Sequence, residues 1–552
     1  MIILFEEYHY RTTELSKVLS ERYFFPINSV YSKINFVGYY FNPKINNGEG
    51  DSVIIFPKVF IDENNLAFGE YSPEELIIQT DEIKKRLTDG HKSNLIFEIS
   101  TWLYRSIQQF NRRQSNTISE LQNINQIVSN LDLSSNTELD LILSLIDFNK
   151  KNQNLFTFIS KSSHSQNNKI NWRKTINKST PFLQNGKPFY LDFSTLKKSV
   201  NDSEELIVIF YSVLNHFKEK YSFEINIPTN YDLIKRNKFE TLKRQGCKIL
   251  KNIKYKYYSD KLISLYNLMY AYFERTDKTY SKSLIEEVLL IKDFNIVFED
   301  MIDDLIGDKN VFPELKNHSD GKQIDHIYKY DSLIYDDEIY FVGDSKYYRS
   351  PGMIGKYSQA KQFTYARNVI QYNIDLFNNL ELDKSIRYRE EESEGYNITP
   401  NFFISSSVNK DLDFSCSNLE QYGSTKVQYH FKNRLFDRDT LFVQSYNINF
   451  LYVLSSYVSR NSSLKSSFKK DTQKKFRNLL IKFINEKYTF FKINPNSENF
   501  LQQFFKLLNG KIYKPSKLDF EFILAFERSS DFQEILNQIK SETKELIQIE
   551  LG

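Results

Sequence analysis

The sequence predicts an α+β, multidomain protein, on three observations. Strand-like apolar runs occur near 34–60 and again near 323–348. Stretches with apolar residues at helical spacing fill much of the chain between and beyond them. At 552 residues the chain is long enough for about three or four domains. We divide it into a mixed α/β N-terminal domain (1–115), a mainly helical middle region (116–285), an α/β module (286–460) and a basic, helical C-terminal region (461–552).

In order, Ile34 to Phe41 and Val53 to Phe60 read as strands, parted by the Asn- and Gly-rich turn Asn42 to Asp51. Leu95 to Phe110, with Trp102, reads as a helix. Residues 115–135 are polar and Asn/Ser-rich, a domain boundary, although Leu121, Ile124 and Ile127 suggest helix. Leu139 to Asp147, Glu204 to Phe217 and Lys261 to Arg275 are periodic helices, and Lys161 to Asn168 a polar loop. Phe294 to Gly307 is a helix whose Val297, Phe298, Met301, Ile302, Leu305 and Ile306 share one face. A hairpin follows over 323–348, then a longer helix from Gly355 to Phe377, and strands at 401–404 and 427–431. Phe532 to Leu546 closes the chain as a helix, with Ile535, Leu536 and Ile539 as its stripe.

The hairpin carries the chemistry. Asp325 opens its first strand, and Asp344-Ser345-Lys346 ends its second. Residues two apart on a strand share a face, so Asp344 and Lys346 project together and Ser345 points away. Charged groups at the end of an apolar strand need partners or a metal. Two carboxylates and an ammonium converging at a sheet edge suit a divalent cation beside a phosphate, the chemistry of a metal-dependent nuclease. Mg²⁺ prefers oxygen ligands, which Asp325, Asp344 and the Ser345 carbonyl would supply, with Mn²⁺ as a substitute. Lys346 would handle the attacking water and stabilise developing charge. Glu299, on the preceding helix, would hold a water from outside the ligand set. Asp336, Asp337 and Glu338 read as a solvated turn, and His318 and His326 as hydrogen-bonded bystanders. No His/Cys set has zinc spacing.

These motifs resemble the PD-(D/E)xK nuclease superfamily, and within it the LlaJI-type restriction endonucleases, which are similar to the McrC nuclease subunit. The resemblance is carried by Phe298-Glu299-Asp300-Met301, Asp325-His326-Ile327, Gly343-Asp344-Ser345-Lys346-Tyr347-Tyr348 and the run Asn433 to Leu441. Val37-Gly38-Tyr39-Tyr40, Phe56-Pro57-Lys58-Val59 and Ile170 to Ile176 extend it, so it covers about residues 35 to 460. It implies a restriction-endonuclease-like α/β core over 286–460 and a Mg²⁺-dependent DNA endonuclease of bacterial antiviral defence. The family's metal-binding acids fall on Asp325 and Asp344, its lysine on Lys346 and its helix acid on Glu299. The chain departs from the pattern in two places. Ile324, not Pro, precedes Asp325, and neither Gln359 nor Gln362 stands four residues before a Tyr. An McrB-like AAA+ NTPase is the implied partner, docked on the N-terminal region. The chain itself has no Gly-x-x-x-x-Gly-Lys-Ser/Thr loop.

Double-stranded DNA is the expected substrate. With a net charge of only +3, local patches must attract it. On the helix after the hairpin, several of Lys356, Gln359, Lys361, Gln362, Tyr365 and Arg367 could face a phosphate backbone, with Lys356, Gln359 and Gln362 the candidates, together with Lys243 and Arg244 in the basic stretch 235–256 and Lys469 and Lys470 in the stretch 460–487. The abundance of Lys, Asn, Ile and Tyr fits an A+T-rich genome, so lysine runs count for less. Two cysteines exclude a disulfide scaffold and fit a reducing cytoplasm. No leader and no membrane span is expected. The competing function is a non-catalytic, DNA-binding adaptor that stimulates a motor NTPase.

Overall fold

The computed structural model describes residues 1–45, 50–78, 91–116, 127–129, 137–153, 155, 157–163, 169–201, 203–221, 225–280, 286–309, 311, 313–316, 323–334, 337–349, 354–378, 386–459, 461–515 and 520–552. Near the N-terminus, β1 (Ile2–Phe5), β2 (Phe36–Asn42) and β3 (Asp51–Phe56) are buried along their whole lengths. Such runs form strands covered on both faces, and alternate residues enter different cores. Val37, Tyr39, Ile54 and Phe56 face the main core, which they share with Ile99, Leu103 and Ile107 of helix α1 (His91–Asn116). Tyr40, Val53 and Ile55 face a second core built with Leu15, Val18 and Tyr23. Ile127–Ser129 forms strand β4, so Ile127 lies on a strand rather than a helix; Leu121 and Ile124 lie outside the described residues.

The middle region supplies α2 (Glu138–Lys151), α3 (Glu205–Tyr221), α4 (Asn237–Ile253) and α5 (Asp260–Tyr280); all but α4, which runs through the basic stretch 235–256, lie close to the predicted helices. They share a core of their own, including Leu145, Phe210, Leu214, Leu250, Met269 and Phe273. It is not helical throughout. Phe158–Ser163 pairs with Thr195–Val200, which also pairs with Lys169–Ile170. A hairpin joins Phe182–Gln184 to Lys187–Phe189. The expected loop Lys161 to Asn168 therefore begins inside a strand, and 164–168 lie outside the described residues.

Strand β5 (Glu287–Lys292) falls in the stretch assigned by sequence to the third module, yet it returns to the first. It pairs antiparallel with β2, from Phe41↔Glu287 to Phe36↔Lys292, and also with β4. The sheet order is β1-β3-β2-β5-β4.

Helix α6 (Asn295–Ile306) buries the predicted stripe. Strands β6 (His326–Asp331) and β7 (Glu338–Lys346) form the hairpin, and α7 (Lys356–Asn378) leads to β8 (Pro400–Ser407), parallel to β7. Strand β9 (Leu441–Asn449) lies parallel to β8 and was not anticipated. The expected strand 427–431 is the short edge Lys426–Gln428, antiparallel to β9. Helices α8 (Phe450–Val458) and α9 (Ser462–Lys487) complete the packing, and one continuous core joins this sheet to the N-terminal one.

The C-terminal region corrects the helical expectation. After α9, Tyr488–Pro495, Ile512–Tyr513, Phe522–Glu527 and Thr543–Ile549 form a four-stranded antiparallel sheet. The predicted helix 532–546 is only Gln533–Lys540, and the last of these strands begins three residues later. Aromatic and β-branched runs such as Thr489-Phe490-Phe491 favour the pleated arrangement. Among the described residues no helix is long and apolar enough to cross a membrane.

Candidate active site

The register of β6 and β7 pairs His326 with Gly343, which sets Asp325 opposite Asp344. Asp325 Oδ2 accepts a hydrogen bond from the Ser345 backbone N–H at 3.0 Å. Asp344 is buried, at 4% exposure, and its Oδ2 contacts the Lys346 ammonium. The sequence-derived geometry is thus present: Asp344 and Lys346 share a face, and Asp325 joins them from the neighbouring strand.

Ser345 points to the other face. Its Oγ lies 2.5 Å from His326 Nε2, and His326 Nδ1 lies 3.5 Å from Asp303 Oδ1. Lys316 holds Asp303 at 2.7 Å. Burial drives the Asp303 carboxyl upward, but His326 and Lys316 outweigh it and keep it below the usual range. The order Ser-His-Asp invites a nucleophilic reading, but Ser345 is 5% exposed and His326 fully buried. No substrate reaches them, so the chain of contacts fixes the strand that carries Asp344 and Lys346.

Helix α6 packs against β6 and β7 and brings Glu299 to the same charges. Asn295 donates to Glu299 Oε1 at 3.3 Å. Burial raises the Glu299 carboxyl's proton affinity, and Asp344 adds to the rise, against Asn295, His326 and Lys346. Asp325 is pushed well above the carboxylate range, by burial first and then by the charges of Asp344 and Glu299; the Ser345 N–H opposes this. Three acids therefore share a small region where Lys346 is the cation in contact. That surplus of negative charge is what a divalent ion would neutralise.

Among the described residues no three His, Cys, Asp or Glu side chains stand together at metal-ligating distance. The chain offers two carboxylates, Asp325 and Asp344. A hard-oxygen pair completed by water fits Mg²⁺, which sheds its waters reluctantly, and does not fit zinc.

Helix α7 lies across β7. Gln362 is 1% exposed and donates to the Val342 carbonyl at 3.0 Å, and Gln359 donates to the Ile354 carbonyl at 2.8 Å. Lys356 is exposed and lines an open groove of about 410 Å³ with Gln359, Phe363 and Tyr429. Lys361, one of the helix residues that the sequence offers to a phosphate backbone, stands exposed one position before Gln362. It lies four residues before Tyr365, a spacing that puts both on one face.

The basic stretches divide. Lys243 is buried and pairs with Glu240 at 2.9 Å, while Arg244 is exposed. Lys469 lies 2.6 Å from Asp308 and donates to the Gly307 carbonyl at 2.7 Å. Lys465 holds Asp304 at 2.9 Å, and Gln473 caps the Ile306 carbonyl at 3.0 Å. Helix α9 thus lays cations along the acidic C-terminal end of α6, where the helix dipole favours them. Lys470 faces solvent.

A mixed sheet whose hairpin end gathers two acids and a lysine beneath a helix bearing a third acid defines an α/β protein with a charged, acid-rich site. The family model for the LlaJI restriction endonuclease matches residues 76–419, and the chain belongs to that family. No curated protein matches it. A solved assembly of Thermococcus gammatolerans McrB AAA+ hexamers with bound McrC contains a chain that is 11% identical, aligned over 86% of this chain and 99% of that one, with a TM-score of 0.26. A likeness that weak carries no argument about fold or partner.

Proposed function

We propose that the chain is a PD-(D/E)xK-type, Mg²⁺-dependent endonuclease of a restriction system, hydrolysing phosphodiester bonds of double-stranded DNA. One observation carries the reading: Asp325, Asp344 and Lys346 meet at the end of the β6–β7 hairpin, with Glu299 close enough to perturb them. Asp325 and Asp344 would hold the ion. When bound, Mg²⁺ offsets charge on the phosphate and makes water more acidic. Lys346, held by Asp344, places an ammonium where negative charge develops. Glu299 accepts a proton or orients a water beside it. His326 and Ser345 keep the strand in register.

An McrB-like NTPase partner and a cytoplasmic location belong to the same reading. Both cysteines are free, as a reducing compartment requires. A protein partner has apolar surface to cover: Trp172, Leu183, Phe189 and Leu191 are each at least half exposed on the short helix, hairpin and following bend of residues 172–191.

The test is plasmid cleavage in Mg²⁺, alone and with the neighbouring gene's product and nucleotide. Asp344→Asn and Lys346→Met should each slow cleavage by about 10²-fold or more while DNA binding persists. Cleavage by both variants at the unmodified rate refutes the nuclease. Nucleotide hydrolysis by a partner, with no nicking in any divalent metal, favours the non-catalytic adaptor.

A further inference from the structure

The charge balance of the site leaves one role unfilled. Glu299, Asp325 and Asp344 are acids, and the Lys346 ammonium is already in contact with Asp344. A divalent ion would leave the cluster near neutrality, with nothing over for the phosphodiester, which brings a negative charge of its own. A second cation on the substrate side would offset that charge.

Lys361 is placed to be that cation. Its helix is fixed against the catalytic strand one residue further on, where Gln362 donates to the Val342 carbonyl. Lys361 itself is exposed and forms no salt bridge among the described residues. Its ammonium lies 5.2 Å from the centre of the Tyr365 ring, one turn along. That ring is 1% exposed, so it is a fixed surface against which the long side chain rests. Burial works against the charged form of Lys361, but Tyr365, Asp344 and Asp325 outweigh it. Both site aspartates favour the charged form, and neither forms an ion pair with it among the described residues.

We propose that Lys361 is a phosphate-binding residue of this site, gripping a non-bridging oxygen of the DNA backbone at the strand to be cut, with Tyr365 holding it in position. The assignment rests on the nuclease reading and adds to it the group that seats the substrate. Lys346 and Lys361 then divide the work: the first is tied to the acids, the second faces the incoming strand.

The experiment measures binding of the full chain to a linear DNA duplex in Ca²⁺, from about 50 to about 200 mM salt, for wild type, Lys361→Met and Lys361→Arg. Each phosphate contact contributes about 0.9 to the slope of log affinity against log salt. Lys361→Met should bind more weakly at low salt and lower the slope by about 1, so that it loses about fourfold less affinity than wild type across that range. Lys361→Arg should restore the slope. Melting curves of both variants should match wild type, since the side chain is exposed. An unchanged slope in Lys361→Met, beside a wild type that cuts in Mg²⁺, overturns this assignment alone. A wild type that binds DNA but never cuts removes the nuclease and this residue's role with it.

Discussion

Gly343→Ala should damage both the fold and the site, although alanine is the better strand residue. Gly343 precedes Asp344 on β7, and its register partner on β8 is Phe402. A Cβ built at 343 would stand 2.1 Å from Phe402 Cζ and 2.3 Å from Cε2. Carbon atoms settle about 3.5 Å or more apart, so the ring must withdraw by more than about 1 Å. It has little room to do so. Phe402 is 2% exposed, with Phe476 at 4.8 Å and Tyr328 at 6.1 Å between ring centres. Overpacking of this kind costs about 1–3 kcal/mol, and the lost flexibility of glycine returns about 0.5–1. A net loss of about 1–2 kcal/mol is expected in urea denaturation. Cleavage should fall further than stability explains, because a displacement of about 1 Å at Asp344 is worth about 10²-fold. Adding Phe402→Leu should recover part of the stability, with a coupling above about 0.5 kcal/mol. A Gly343→Ala protein as stable and active as wild type would show that the strands do not approach as closely as described.

Two further perturbations test other contacts. Glu6 accepts from the Tyr347 hydroxyl and, at 3.2 Å, from the Lys58 N–H, and burial pushes its carboxyl from 4.5 up to about 6. Folding favours its protonated form, so that stability is fully present below pH 4.5 and lost as pH rises through about 6, a loss of about 2 kcal/mol at most. Glu6→Gln should abolish that decline relative to wild type, read from urea midpoints at pH 4.5 and 7; parallel profiles would contradict it. Lys469→Met should cost about 1 kcal/mol, since its contacts to Asp308 and Gly307 are partly screened. The salt slope of DNA binding should stay unchanged, and a drop of about 1 would make Lys469 a phosphate contact instead.

The hairpin, α6 and α7 were legible in the sequence because their signals are local. Alternation places Asp344 beside Lys346, and helical spacing defines the buried face of α6. What the sequence hid is set by distant partners. Nothing within Glu287–Lys292 announces that it pairs with Phe36–Asn42 rather than with the strands that follow it. The basic stretch 460–487 looks like a DNA surface until Asp304 of α6 and Asp308 just beyond it are found beneath Lys465 and Lys469. Gln362 looks equally available until its amide meets the Val342 carbonyl. Local polarity reports charge, and only the folded partner reports whether the charge is already used.

The pairing of β2 with β5 also dictates an order of events during synthesis. Phe41 leaves the ribosome long before Glu287, its neighbour in the finished sheet. At about 5–20 residues per second, β2 waits tens of seconds with one side unmet, and an unmet apolar strand is a template for aggregation. The helices between them have a core of their own and can fold during that interval, which draws the two ends of the gap together. The intervening region therefore acts as a clasp that must close before the first sheet can be completed, and changes that slow its folding would lower the yield of folded protein without touching any residue of the site.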